Sequence, residues 1–286
     1  MKSKRLSLRK KRGIVNAILS IIVLLVLIAR LLRADYHSVF ICILTLMLFN
    51  IPFWAEKVLK ITLPKELEII ILCFIFAAEI LGEIGSFYTY IPWWDTMLHT
   101  INGFLMAAIG FALIDLLNNS PKFHITLSPT FVAVVAFCFS MTIGVLWEFF
   151  EFSMDMIFHT DMQKDFIVSS IYTVTFNPDG LNSVYEIPEI TETVLLYNGE
   201  EIYRFNGYLD IGIIDTMKDL LVNFVGAVVF STIGYFYMLG RNKGVFASKF
   251  IPQYHADVPS CDKKEETNEA ISEPLKTEEE KTEITK

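Results

Sequence analysis

The sequence predicts an all-α integral membrane protein of six transmembrane helices, with a small extracytoplasmic β-hairpin element between helices five and six. Three observations predict it. Apolar residues make up 53% of the 286 residues, above the roughly 45–50% of a soluble domain. They gather in runs of about 20 or more, enough to cross ~30 Å of hydrocarbon at 1.5 Å per residue. Lys and Arg collect at alternate ends of those runs, as the positive-inside rule requires of a multi-pass chain.

The elements follow in order. Residues 1–13, MKSKRLSLRKKRG, carry seven Lys and Arg and form a basic cytoplasmic N-terminus. The first span, 14–32, ends without a small-x-small cleavage pattern, so it reads as a retained helix rather than a signal peptide. Further spans are expected at 38–54, 67–88, 94–117, 132–158 and 213–239. The fifth comes from an overlong apolar run that starts near 127, so it begins near Val132 or tilts. Together these form a membrane domain over 14–240, with an outer loop at 159–212 and a cytoplasmic tail at 241–286.

With the N-terminus inside, the inner segments hold 14 Lys and Arg and the outer segments four. Both termini are therefore expected in the cytoplasm. The tail from about residue 255 has ten acidic and five basic residues and should be disordered, since it has too little apolar surface to offset its ordering entropy. The outer loop, with nine acidic and two basic residues, is acidic as well. Neither suits nucleic acid, and the basic N-terminus fits anionic lipid headgroups. Four scattered cysteines and no CxxC exclude a disulfide framework.

Within the outer loop, TVLLYNGEEIYRFNG places Asn198-Gly199 between two strand-like runs, a tight hairpin signature. The earlier IVSSIYTVTF should add a third strand before the Asn177-Pro178-Asp179-Gly180 turn.

The chemical signal lies in the spans. Span three carries Glu79 and Glu83; span four Asp95, His99 and Asn102; span five Glu148, Glu151 and Asp155; span six Asp215, Asp219 and Asn223. Spacings of three or four put each set on one helical stripe. The topology then places every set in the outer half of the membrane. His99 and Asp219 fall roughly 6–8 Å below the outer surface, Glu83 and Glu151 roughly 8–11 Å, and Glu79 and Glu148 roughly 15 Å. An isolated charge at such depth costs ~2.5–3.5 kcal/mol even on the lenient insertion scale, so protonation, water or a bound cation must compensate.

Carboxylates with one imidazole suit a divalent metal: oxygen donors favour Mg²⁺, Mn²⁺ or Ca²⁺, and the imidazole admits Zn²⁺ or Fe²⁺. The expected ligands are His99, Glu148, Glu151 and Asp219, with Asp215 and Glu79 as weaker candidates and Asp95 or Glu83 as a catalytic base. Plainer roles compete. Asp95 and Asp215 sit at helix starts, where Asp caps free N–H groups. Asp155 sits near an interface and can simply be solvated. Asn102 and Asn223 suit interhelical hydrogen bonding, and Gly103, Gly110, Gly144 and Gly226 suit close packing. The pairing of two acids with DTMLH, and again with DTMKD, hints at a parallel repeat.

The D-x-x-x-H of WWDTMLHTINGF, the WEFFE of span five and DTMKDLLVNFVGA of span six together resemble the YjdF-type family of bacterial polytopic membrane proteins, from about residue 67 to 239. The long loop with its hairpin departs from that pattern. The resemblance implies a bacterial cytoplasmic-membrane location and says little about activity.

Two functions fit the residues. One is a divalent-metal-dependent hydrolase or transferase acting on a lipid-type substrate, or a cationic ligand, from the outer face. GxSxG, HExxH and P-loop motifs are absent. The other is a cation- or proton-coupled transporter, against which stand the apolar inner halves of spans five and six. A sensor or scaffold without chemistry is the third.

Overall fold

A computed structural model describes residues 2–59, 61–118, 127–240, 250 and 253–254. The tail expected to be disordered from about 255, and Lys122, Arg241, Lys243 and Lys249 of the charge count, lie outside the described residues. The protein is mostly helical. Five helical segments are long and apolar enough to cross a membrane: Gly13–Leu32, Tyr36–Val58, Trp94–Asn118, Pro129–Phe158 and Ile213–Leu239. Their outer faces carry side chains such as Leu25, Phe149 and Leu221, each at least 60% exposed. So much apolar surface without protein cover belongs in lipid.

The first helix, α1 (Lys2–Leu32), turns sharply at Ala34 (φ +56°) into α2 (Tyr36–Leu48). Asp35 caps α2, accepting from the Ser38 amide (3.2 Å) and hydroxyl (2.7 Å), and Arg30 donates to the same carboxylate at 3.2 Å. Those Ser38 bonds, with Arg30 beside them, hold the Asp35 carboxyl below its ordinary range. The predicted second span is broken. α2 stops at Leu48 and the chain resumes as α3 (Ile51–Leu59) after a turn at Phe49-Asn50. Buried Pro52 is the physical reason: it has no N–H for the Leu48 carbonyl, and prolines are tolerated only in a helix's first turn.

The third predicted span is also irregular. Helix α4 (Lys65–Ile75) passes directly into a π-helix, Phe76–Ile84, and ends on Gly85, whose N–H reaches Ile80 O at 2.8 Å. Ser86, at φ +58°, then starts a separate turn, α5 (Phe87–Tyr90), so the helix stops before the predicted Tyr88. A Cβ at Gly82 would lie 2.4 Å from the Tyr88 ring, so glycine is what lets α5 fold back against the π-helix.

Three long helices make the core: α6 (Trp94–Asn118), α7 (Pro129–Phe158) and α8 (Ile213–Leu239). Small residues bring them together. A Cβ on Gly103 would sit 2.0 Å from Asn223 O, and one on Gly226 would sit 2.1 Å from Thr100 O. The backbones of α6 and α8 therefore touch reciprocally, and Ser140 of α7 donates to Gly103 O at 2.7 Å. Away from these contacts the core is apolar, with Phe111, Phe230, Ala107, Val132 and Ala136 fully buried. Ser128 caps α7, which starts at Pro129 rather than near Val132. Its 30 residues span about 45 Å.

Between α7 and α8 lie three small antiparallel ladders. Strand β5 (Thr193–Tyr197) pairs with β6 (Glu200–Phe205) through Asn198 (φ +52°) and Gly199 (φ +84°), the pair of positive angles that the sequence signals. The run expected to be one extra strand splits at Ser169-Ser170. Its halves, β2 (Phe166–Val168) and β3 (Ile171–Thr173), pair with β7 (Tyr208–Asp210) and β4 (Tyr185–Ile187). The Asn177 turn is present, with Gly180 N on Asn177 O and Asp179 N on Asn177 Oδ1. A fourth ladder, β1 (Ile61–Thr62) with β8 (Gln253–Tyr254), brings the chain after α8 back to the α3–α4 connection.

Candidate functional site

One end of the α6–α7–α8 core is polar. His99 lies one turn into α6, Glu148 and Glu151 in the last third of α7, and Asp219 one turn into α8. All four are buried, Asp219 to 3% exposure and Glu148 to 4%. The imidazole is the hub. Its Nε2 lies 3.5 Å from Asp95 Oδ1 and 3.8 Å from Asp219 Oδ2, while Nδ1 lies 3.8 Å from Glu148 Oε1. Two groups of potential ligand atoms result, Asp95–His99–Asp219 and His99–Glu148–Glu151, each set lying within 4.8 Å of one another.

What the acids lack matters as much as where they are. Both oxygens of Glu148 are buried and neither meets a hydrogen-bond donor. Asp219 has the imidazole at 3.8 Å. A buried carboxylate normally has its lone pairs filled, so Glu148 leaves a local deficit of positive charge. Glu151 is better provided, accepting from Trp147 Nε1 at 2.8 Å, one turn back on α7. Beneath the cluster, Asn102 donates to Asn223 Oδ1 at 3.2 Å, and Gly144 leaves room for the Asn223 amide.

Two acids have other work. Helix α8 is capped by Asp210, whose carboxylate accepts from Ile214 N at 3.0 Å, with Gly212 at the cap position (φ +87°). Asp215 is therefore no cap; it accepts from Lys164 N at 2.7 Å and so ties the loop to the site. Asp155 is not merely solvated. It accepts from Thr160 Oγ1, Met162 N and Gln163 N and folds the strap 160–164 over the end of α7. Gln163 continues this seam by donating to Thr216 at 2.6 Å.

The cluster opens onto a cavity of about 920 Å³. Glu79 and Glu83 reach it from the π-helix, so all four polar stripes read from the sequence meet around one space. A π-helical insertion of this kind is common at functional sites. Asp95, Glu151, Asp215 and Asp219 line it too, whereas His99 and Glu148 are not among its lining residues. Several lining residues have no clear sequence signal. Phe40, Ile41, Leu44 and Leu48 of α2 build an apolar wall, and Lys218 lies with its Nζ 3.5 Å from the Phe166 ring centroid. The one readable clue was the four-residue step from Trp147 to Glu151 in WEFFE.

Comparison with known proteins agrees with this architecture at the level of the membrane domain. A Thermotoga maritima protein described as uncharacterized is 26% identical over 106 residues, 37% of this chain and 53% of that protein. The chain thus spans about half the length of that relative. No solved structure matches. Residues 15–240, which contain every helix of the site, match the family described as "Predicted membrane protein (DUF2238)". The chain belongs to that DUF2238 family of membrane proteins.

Proposed function

We propose that this is a six-span protein with both termini cytoplasmic. Its polar end faces outward and holds a divalent metal for hydrolysis or group transfer on a lipid-type substrate. The sixth span is α4 with the π-helix, twenty residues from Lys65 to Ile84, about 30 Å of helix. The 14-to-four bias of Lys and Arg supports the orientation. The β1–β8 ladder supports a C-terminal segment on the same side as the α3–α4 connection.

The observation that carries the metal reading is the convergence of Asp95 Oδ1, His99 Nε2 and Asp219 Oδ2. Ligands bonded at ~2.1 Å in a tetrahedral shell lie about 3.4 Å apart. The 3.5 and 3.8 Å separations are longer than the usual N–H···O distance of about 2.7–3.2 Å and leave room for a shared cation. This group is preferred over His99–Glu148–Glu151 because Asp95 and Asp219 line the cavity, where water and substrate reach. Asp95 thereby becomes a ligand rather than a base. Glu148 places a carboxylate 3.8 Å from Nδ1, on the other side of the ring. One His and two carboxylates suit Zn²⁺, Fe²⁺ or Mn²⁺ better than Mg²⁺.

A metal held there would supply Lewis acidity for an ester oxygen or a water. Glu151, steadied by Trp147 and lining the cavity, would be the general base for a water that attacks the ester carbon or phosphorus, and the same carboxyl would return the proton to the departing oxygen as its bond breaks. At the opposite end of these helices Phe111 and Phe230 fill the core, which favours a one-sided pocket over a through-pathway.

Elemental analysis of detergent-purified protein tests the site. About one metal per chain is expected in wild type, lost in His99→Ala and Asp219→Asn. Wild type that takes up none after loading with Zn²⁺, Mn²⁺ and Fe²⁺ contradicts it.

A further inference from the structure

Resting on the metal reading above, we infer the class of substrate. The cavity seats a lipid with a phosphate headgroup, which Lys218 and a metal held by Asp95, His99 and Asp219 would attract, while a hydrocarbon chain lies along α2. Three features lead there. The cavity is amphipathic: its lining holds seven carboxylates, among them Asp95, Asp215 and Asp219, and an apolar strip of Phe40, Ile41, Leu44 and Leu48 from α2. At about 920 Å³ it is at the upper end of small-molecule pockets, ~300–1,000 Å³, and far exceeds what a free inorganic anion fills. A ligand matching both regions has a polar head and an apolar chain.

The third feature decides the head. Two lysines line this space. Lys164 is engaged by the Asp161 carbonyl and carboxylate. Lys218 stands between Asp215 and Asp219 in sequence, yet among the described residues it forms no ion pair; its ammonium rests against the Phe166 ring. An unpaired ammonium lining the cavity that Asp95 and Asp219 also line would give, with a metal held by those acids, two positive centres for an anion. Phosphate has oxygens enough to contact both, whereas an ester carbonyl has one. The remaining acids repel an anion that lacks direct metal contact, so binding should require the metal. They would attract an ammonium headgroup instead, which makes that the natural competitor.

The test uses full-length protein in detergent, with metal content assayed on each sample and binding read by native mass spectrometry titration. Probes are phosphatidic acid, diacylglycerol of the same chains, a long-chain amine and inorganic phosphate. Metal-loaded wild type should bind phosphatidic acid at least about tenfold more tightly than diacylglycerol or the amine, a difference of about 1.4 kcal/mol. Lys218→Gln should weaken phosphatidic acid about tenfold with metal content unchanged. Leu44→Trp and, separately, Leu48→Phe should weaken it while sparing inorganic phosphate, because they fill only the apolar side. Chelation should abolish the preference. The inference is overturned if diacylglycerol or the amine binds as well, if inorganic phosphate binds as tightly as the lipid, or if Lys218→Gln changes nothing. Metal-free wild type sinks the metal reading; metal-bound wild type indifferent to phosphate sinks this inference alone.

Discussion

The two ends of the α6–α7–α8 bundle are built to different standards. At one end Phe111, Phe230, Ala107, Val132 and Ala136 interlock with little polarity beyond the buried Ser231 hydroxyl, and Phe104 meets Phe230 edge-on with centroids 4.9 Å apart. At the other, on the same three helices, Glu148 and Asp219 are nearly as deeply buried, and both Glu148 oxygens lack a hydrogen-bond partner. Helix packing cannot explain the second end, since apolar residues of similar volume would pack there at lower cost. The close contact of Gly103 and Gly226 holds the two ends in one rigid unit. Stability is concentrated in one end and unmet charge in the other, the pattern expected where a ligand completes a site.

The contrast can be broken at several points. The largest effect should come from the shared seam. Gly103→Leu drives a side chain into the α8 backbone, which cannot yield, and should cost about 3 kcal/mol or more; size-exclusion profiles and thermal melts in detergent would show loss of folded protein. Phe230→Ala at the apolar end should cost about 3–5 kcal/mol in the same melts while leaving metal stoichiometry intact. At the polar end the sign reverses. Glu148→Leu removes an orphaned buried carboxylate and should stabilise metal-free protein by about 1–3 kcal/mol while weakening metal binding. Both being lowered together would show that Glu148 is structural. Gly199→Ala strains a φ of +84° and should cost about 1 kcal/mol, confined to the β5–β6 hairpin; faster protease cleavage in residues 193–205 without a change in metal content is the expected readout.

A smaller effect concerns pH. The Asp35 carboxyl is lowered by Ser38, with Arg30 assisting, so its contribution is present above the unfolded carboxylate range and is lost as pH falls through its lower folded value. Asp35→Asn should therefore flatten the acid limb of a melting-temperature profile and leave neutral behaviour nearly unchanged.

Much of this was legible in the sequence, because membrane insertion converts hydropathy directly into position. The long apolar runs coincide with α6 and α8 almost to the residue, whereas α7 starts three residues earlier than expected and α1 extends back to Lys2; three- and four-residue spacings gather Asp95, His99, Glu148, Glu151 and Asp219 once the helices alternate in direction. The irregular parts were less legible. Pro52 breaks the second span, and the π-helix at Phe76–Ile84 ends the third early; both depend on local backbone bonding that periodicity averages away. Asp215 read equally as a cap or a ligand because Asp210, the actual cap, lies in a strand whose pairing with Phe166 is long-range. The role of Asp155 depended on the fold of the strap it anchors. Lys218 stands between Asp215 and Asp219 in sequence, but its contact with the Phe166 ring is a tertiary fact.

The central claim is that a metal sits between Asp95, His99 and Asp219. X-ray absorption at the edge of the bound metal, on loaded wild-type protein, tests it most directly. The account predicts a first shell of oxygens with one nitrogen at ~2.0–2.2 Å and the outer-shell scattering of a single imidazole, absent in His99→Ala. A bound metal with an all-oxygen shell and no imidazole signature would contradict it.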